Sequence, residues 1–597
     1  MEILKKRKSW LSLLAIVFLL GMLAACSDGN KETTNDPDDG NNDPVTSEPK
    51  SGGTVVGAMD TAPTGQFNPI FYQEAYEANI LGLTHDSLLS QNDELEFEPH
   101  LAKEWKFSED FSSVTFTLRD DVKWHDGQPF TANDVVFTYK TIADPEYVAA
   151  GGVRSSYVSK LVGAEEYTSG ETDEFPGVVA DDDYTVTFHF KEPNVMALAD
   201  ASFTIIPEHI FKDIPVADMP SAAASLQPNE VIGTGPFKFT EMVEGERYVL
   251  TKNPDYFLGE PYLDSVEWRV VNQDLILQLL ESGEIDFVAD PNGFQAADYD
   301  TVANMEHVKI IEQNDFGYQL LGFIQNYRTP EDIEAGVLEP ENWVPNERLK
   351  DPKVRQAIAY AINRQALIGT KAGEGLLHGR GQIINAPIAT QFPAYDGENP
   401  NQYEFSQEQA NALLDEAGYK DVTGDGLRED PEGNEWVLKL AYPLGNKLRE
   451  DSAPIIVEML AEVGVSVDLQ QPLEMAAYVP ELTNTQDWDL YLLGWTLGSG
   501  DPDPSGLWGS KDAYNFGRWY NPEADQLLVD AVTPPDAFDP EFRNQVYSDW
   551  QVMFQEDLPA LILYAQNKLY AYNERMQGVV PAVTGFINDP QLWWVQD

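Results

Sequence analysis

Cysteine is almost absent, with one in 597 residues. No disulfide framework can form, so about 550 residues of body must be held by their packed core. Basic charge is also scarce, 38 Lys+Arg against 100 Asp+Glu for a formal charge of −62. Such a field repels phosphate backbones, which excludes nucleic-acid binding. The seven histidines, at 85, 100, 125, 189, 209, 307 and 378, lack the i, i+4 or cysteine-partnered spacing of a zinc site. His-Glu-x-x-His, Gly-x-Ser-x-Gly, the Gly-Lys-Ser/Thr phosphate loop and Ser-x-x-Lys with its companions are missing. No 20-to-50-residue repeat is apparent, which argues against solenoids and propellers. Aromatic residues are not lacking: 13 Trp, 26 Tyr and 28 Phe exclude wholesale disorder.

The start of the chain carries Lys5, Lys6, Arg7 and Lys8, then an apolar run from Trp10 to Ala25. That run is shorter than the ~20 residues a bilayer core requires, and it ends in small residues as a processing site does. Leu23-Ala24-Ala25-Cys26 resembles a bacterial lipobox, which implies a signal peptide over 1–25, cleavage before Cys26 and lipidation of its thiol. Residues 26–50 are almost devoid of apolar side chains and read as a disordered tether that holds the body off the membrane.

From Ser51 onward, alternating stretches predict strands at Thr54–Met59, Ser113–Leu118, Tyr184–Phe190, Gly235–Glu241, Arg247–Lys252, Ser265–Val270, Gly317–Gln325, Val437–Tyr442, Val465–Gln470 and Trp488–Gly494. Helical periods interleave at Ala132–Ile142, Leu275–Ser282, Pro352–Ala361 with a continuation Arg364–Gly369, Ser406–Ala417, Leu448–Val463 and Pro540–Glu556. Ser406 with Gln409 has capping-box spacing, and Gly418 is a usual helix stop. Strands alternating with helices in both halves predict an α/β architecture.

Local motifs divide between chemistry and structure. His125 in Trp124-His125-Asp126-Gly127 has a neighbouring acid, as a catalytic base would, but Asp-Gly favours a turn. Asp421, Thr423, Asp425, Glu429 and Glu432 follow calcium-loop spacing around Gly426, although Thr423, Pro431 and Gly433 favour a plain hairpin turn. Gly233–Phe239 reads as structural, its glycines permitting close backbone approach, and Arg355 as one half of a fold-holding ion pair.

Six stretches taken together resemble one family. They are Leu101-Ala-Lys-Glu-Trp105, the run from Val122-Lys-Trp-His to Asp134-Val-Val-Phe137, Gly233-Thr-Gly-Pro-Phe-Lys-Phe239, Asn253-Pro-Asp-Tyr-Phe257, the run from Asp351-Pro-Lys-Val-Arg to Ala361-Ile-Asn363, and Gly494-Trp-Thr-Leu-Gly498 through Asp501-Pro-Asp-Pro504. The resemblance is to the bacterial extracellular solute-binding proteins, family 5, the oligopeptide-binding lipoproteins of peptide ABC transporters. It implies a periplasmic-binding-protein-like two-lobed hinge fold of the large class with an extra domain, mixed sheets flanked by helices. The implied borders are domain I from 51–90, 205–310 and 556–597, domain II from 91–204 and domain III from 311–555.

The resemblance also implies a monomeric, non-enzymatic receptor without cofactor or metal, anchored by lipid on the extracellular face of the cytoplasmic membrane. Its partners would be an oligopeptide and the permease subunits of an ABC transporter. A peptide receptor needs partners for the ligand backbone and a carboxylate for its ammonium end. The strand ending at Gly494 offers an edge, Trp495 a stacking face, and Asp501 or Asp503 the acid that relatives place after a Gly-Trp pair; Arg518 is a candidate for a ligand carboxylate. Trp508, Trp519 and Tyr514 divide between pocket lining and core, core being favoured. A different cargo (oligosaccharide, nickel chelate or haem) and an exported hydrolase stand as alternatives. The acidity fits solubility in salty or alkaline surroundings, or steering of cationic peptides.

Overall fold

The computed structural model describes residues 48–291, 293–398 and 402–596. The expected signal peptide, Cys26 and nearly all of the expected tether lie outside these residues. No helix among the described residues is long and apolar enough to cross a membrane.

In chain order the strands are β1 (Thr54–Met59), β2 (Leu89–Gln91), β3 (Phe97–Pro99), β4 (Ala102–Phe107), β5 (Ser113–Leu118), β6 (Val178–Asp182), β7 (Thr185–His189), β8 (Phe237–Val243), β9 (Arg247–Lys252) and β10 (Ser265–Val270). They continue with β11 (Phe287–Val288), β12 (Val308–Asn314), β13 (Tyr318–Phe323), β14 (Asn326–Tyr327), β15 (Val344–Pro345), β16 (Gly381–Gln382), β17 (Val437–Ala441), β18 (Ser466–Leu469), β19 (Leu490–Trp495) and β20 (Ala560–Asn573). A twelve-stranded mixed sheet runs β18-β17-β19-β13-β20-β11-β1-β10-β9-β8, with β12 and β16 also paired to β20.

The 14-residue β20 is the shared element of this sheet. Its first half pairs with β13 and its second with β12, β11 joining at Ala571 and Tyr572. Only residues 315–317 separate β12 from β13. Two adjacent crossings therefore connect two lobes, one built on β1 and β8–β11, the other on β13 and β17–β19. The first lobe packs Val55, Trp268, Phe287, Phe586 and Trp593. The second packs Leu321, Ile358, Leu440, Leu492 and Leu563 on one face of its sheet and Tyr318, Tyr491, Trp508, Trp550 and Phe554 on the other.

A separate four-stranded sheet, β4-β5-β7-β6, holds its own core of Phe116, Trp124, Tyr139 and Phe188. Strand β5 alternates half-buried and buried residues along Ser113–Leu118, as a sheet with one covered face requires. The helix Ala132–Ile142 begins at Thr131, which forms a capping box with Asp134.

The Gly233–Phe239 stretch fastens this added sheet to the first lobe. A Cβ on Gly233 would lie 1.8 Å from the Thr84 carbonyl oxygen, so glycine is required here by backbone contact. His125 sits in the joint: its Nδ1 accepts from the Gly233 N–H at 3.1 Å and its Nε2–H donates to the Gly235 carbonyl at 3.0 Å. It is buried structural material in the Asp126-Gly127 turn. Asp86 receives Thr234 Oγ1 at 2.7 Å and His100 Nε2 at 2.9 Å. Gly233→Ala is expected to cost about 2 kcal/mol, because backbone rather than a pliable side chain must give way; urea unfolding of the variant against the parent measures it.

Arg364 does not continue the helix Pro352–Ala361. The chain breaks at Ile362, and Asn363 caps a new turn by accepting from the Ala366 N–H. Arg355 is buried but takes no acid. Its guanidinium donates to the carbonyls of Leu349 and Asp557, which makes it a backbone strut. Burial lowers its pKa to about 10, the nearby Asp557 charge opposing this.

Candidate functional site

A cavity of ≈ 690 Å³ lies between the lobes. Leu89, Gln91 and Phe97 of the β2–β3 hairpin, Tyr157, Met196 and Asp200 from the part of the chain beside the four-stranded sheet, the second-lobe segment Gly498–Asp501, and Ala582, Thr584 and Asn588 wall it. This volume falls within the usual range for ligand pockets. Gln91 and Ser499 bridge its rim: Ser499 Oγ donates to Gln91 Oε1 at 2.9 Å, and Gln91 Nε2 to the Ser499 carbonyl at 3.0 Å.

The acidic wall has two members. Asp200 takes Asn194 Nδ2 at 2.7 Å and Lys160 Nζ at 3.2 Å. Burial pushes its carboxyl above the ordinary range despite these partners, and the Asp501 charge adds to the rise. Asp501 is held bidentately by Arg543 at 2.7 and 2.8 Å, and its Oδ1 also accepts the Asp503 N–H at 2.9 Å. Arg543 is anchored in turn by the Ala531 carbonyl and the Tyr547 hydroxyl. Asp501 thus both faces the cavity and staples its loop to the helix Pro540–Asp557.

Asp503 does not line the cavity. Its carboxylate accepts the Ser505 N–H at 3.1 Å and Oγ at 2.7 Å, closing the turn into the short helix Ser505–Trp508. Burial raises its pKa, the Ser505 hydrogen bonds opposing this. Arg518 is only 2% exposed, at φ +53°, and donates to the carbonyls of Asn515 and Thr483. Burial, with the Arg328 charge nearby, lowers its pKa to about 10. Carbonyls instead of a ligand carboxylate occupy that guanidinium, which holds the loop that carries it.

Trp495 ends β19, half-buried, with its ring parallel to Phe516 at 6.2 Å and edge-on to Tyr514 at 5.3 Å. Trp508 and Trp519 are core residues, 2% exposed, whereas Tyr514 is 52% exposed. Strand β19 is an edge over only part of its length. It pairs with β13 throughout and with β17 at Leu490 and Tyr491, leaving its second side without a strand from Leu492 to Trp495.

A second, small polar pocket of ≈ 60 Å³ adjoins this end, lined by Asp315, Gln319, Arg449, Gly494, Trp495, Thr496 and Gln566 among others. The Arg449 Nε donates to Gln319 Oε1 at 2.8 Å, and no carboxylate among the described residues pairs with it. Unlike Arg355 and Arg518, whose guanidinium groups are taken up by backbone carbonyls, the Arg449 guanidinium has only this side-chain amide as a hydrogen-bond partner among the described residues. Trp495 and Thr496 line this pocket and Gly498–Asp501 the larger cavity, so one short segment serves both.

In the Asp421–Glu432 loop, carboxylate oxygens of Asp421, Asp425 and Glu429 come within 4.8 Å of one another, and they accept the N–H groups of Gly426, Leu427 and Val422 respectively.

Residues 96–517 match the bacterial extracellular solute-binding proteins, family 5 Middle. The chain belongs to that family. It is 29% identical to the oligopeptide-binding protein AppA of Bacillus subtilis, over 99% of this chain and 100% of AppA. It is also 29% identical to OppA of Lactococcus lactis subsp. cremoris, over 75% of this chain and 72% of OppA. Among solved structures, B. subtilis AppA in complex with a nonapeptide superposes with a TM-score of 0.66 at 28% identity, over 92% of this chain and all of AppA. The substrate-binding protein CtaP of Listeria monocytogenes gives 0.73 at 25% identity, over 92% of this chain and 100% of CtaP. The architecture is the two-lobed periplasmic-binding type, in mixed α/β form.

Proposed function

We propose that this chain is the lipid-anchored external receptor of an ABC importer, capturing oligopeptides between its lobes and delivering them uncut to the permease. The observation that carries this reading is the pairing of a ligand-sized cavity, with Asp200 and Asp501 on its walls, to an acid-free Arg449 beside the open part of β19. A peptide main chain presents an ammonium end, a carboxylate end and an unpaired row of N–H and C=O groups between them. The AppA complex with a nonapeptide supports the same cargo class. In this reading Asp501 and Trp495 contact ligand, and Asp503 and Arg518 shape the loops around it. In this reading domain I (51–90, 205–310, 556–597) with its extra domain II (91–204) faces domain III (311–555), with β12 and the first half of β20 as the segments that cross between them. Cys26 carries the lipid, on the outer face of the cytoplasmic membrane.

Calorimetric titration of one nonapeptide, with free and with amidated carboxyl terminus, tests the charge assignment. Replacing Arg449 by Gln is expected to weaken the free acid about tenfold, a loss of roughly 1.4 kcal/mol typical of a charged hydrogen bond, and to leave the amide unchanged. Equal affinities of acid and amide in both proteins would remove Arg449 from the ligand site. Steering by the acidic surface predicts in addition that on-rates for Lys/Arg-rich peptides fall steeply with salt; stopped-flow measurement at two ionic strengths reads this directly, and a flat response leaves acidity as a solubility device.

A further inference from the structure

Two hairpins of the first part of the chain each carry one strained apolar residue at an otherwise polar and acidic tip, and both of these residues reach the second lobe. In the β2–β3 hairpin Leu95 has φ +62°, and in the β4–β5 hairpin Phe111 has φ +55°. Large side chains rarely adopt this left-handed conformation, and where they do the surroundings must compensate the strain. Local hydrogen bonds hold the backbone in place. Asn92 Oδ1 accepts the N–H groups of Glu94 and Glu96 at 3.0 and 2.9 Å, and Asp110 Oδ1 accepts Ser108 Oγ and Ser112 Oγ at 2.7 and 2.8 Å.

The reward for these conformations lies across the lobe boundary. Leu95 is 8% exposed and belongs to the second lobe's cluster around Tyr318, Tyr491 and Trp508. Phe111 stacks on Phe538 with ring centres 3.8 Å apart, and Phe107 meets the same ring edge-on at 5.8 Å. Phe538 lies in a single helical turn, Asp536–Phe538, between two second-lobe helices, Pro522–Val532 and Pro540–Asp557. Gln91 ties the first tip down, its Nε2 reaching both the Leu95 and the Ser499 carbonyls. Leu95, Phe107, Phe111 and Phe538 do not line the cavity.

We propose that these two tips form a latch that sets the open–closed balance of the lobes independently of ligand contact. Separation of the lobes uncovers Leu95 and breaks the phenylalanine stack, which removes the contacts that offset the strained turns. Burial at the latch therefore favours the closed arrangement alone. Apparent affinity scales with the population of the binding-competent state, so Leu95 and Phe538 are positioning residues for whatever the cleft holds. The proposal rests on the two-lobed fold and not on the identity of the cargo.

The test uses the detergent-solubilised full chain, stripped of ligand, with spin labels at Val179→Cys and Val529→Cys, exposed positions on the four-stranded sheet and on a second-lobe helix. In Phe538→Ala the ligand-free distance distribution is expected to shift to longer separations, and the apparent Kd for a random nonapeptide mixture to rise about tenfold. Leu95→Gly separates a latch from a mere turn. Glycine relieves the φ strain, so a residue serving only its own hairpin would leave the distances unchanged, whereas the latch predicts opening. Unchanged distances in both variants, with melting temperatures like the parent's, overturn the proposal. Failure of nonapeptides to bind even the parent overturns the peptide reading instead, and the ligand-free distances still decide the latch.

Discussion

Acidification from pH 6 to 4.5 is expected to remove roughly 4 kcal/mol of stability, and His85 and His125 are the reason. Burial lowers the pKa of His85 to about 3, helped by the neighbouring His125, and burial lowers that of His125 to about 4. Both stand below the ordinary unfolded value near 6.5, so the unfolded chain binds more protons at mildly acidic pH. The stabilisation is complete above pH 6.5 and is lost progressively as pH falls towards 4 for His125 and 3 for His85. Each histidine contributes a slope of roughly 1.4 kcal/mol per pH unit inside that window. Geometry points the same way. The Nδ1 of His125 accepts the Gly233 N–H, so a second ring proton would cost that bond as well as a buried charge. Urea unfolding at pH 6 and 4.5 reads the loss, and His125→Gln, which can also donate and accept, should remove about half of the slope. A pH-independent midpoint over this range would contradict the lowered proton affinity of both histidines.

Asp501→Ala is expected to destabilise the protein by roughly 3 kcal/mol, because it strands the Arg543 guanidinium in a site where the two side chains are only 15 and 16% exposed. The Asp503 N–H loses its acceptor as well. The second substitution that clarifies the role is Arg543→Met in the same background, since removing both charges is much less harmful than removing one. Thermal melts of the two single variants and the double variant give the coupling. If Asp501→Ala is as stable as the parent, the bidentate pair does not hold the loop. Ligand affinity must be compared only between variants of equal stability, because Asp501 faces the cavity and also fixes the loop that forms it.

The parts of the fold most legible in the sequence were those with a simple period. Thr54–Met59, Ser113–Leu118, Arg247–Lys252 and Ser265–Val270 are strands over the expected residues, and the helices Ala132–Ile142 and Pro352–Ala361 keep their expected bounds. The most consequential strand, β20, carried no such signal. Its first six residues are all buried, so Ala-Leu-Ile-Leu-Tyr-Ala shows neither alternation nor a helical period, and it follows directly on a helix that ends at Asp557. Of the site, the Gly494–Pro504 segment was recognisable because its motif is local. Arg543, 42 residues from Asp501, was not, and neither was Asp200, one acid among 100. Arg449 could be singled out only once its place in the pocket at the end of β19 was visible in three dimensions. The tips at Leu95 and Phe111 were equally silent, since left-handed backbone is ordinarily signalled by glycine or asparagine.

The central claim is that the cleft holds peptides intact, and native mass spectrometry of the full chain, purified from its host and then exposed to a random peptide mixture, tests it most directly. Retained peptides of varied sequence and narrow length range are expected, released uncut and with their mass unchanged. A protein that stays empty, that releases shortened peptides, or that retains a sugar or a metal chelate in their place would contradict it.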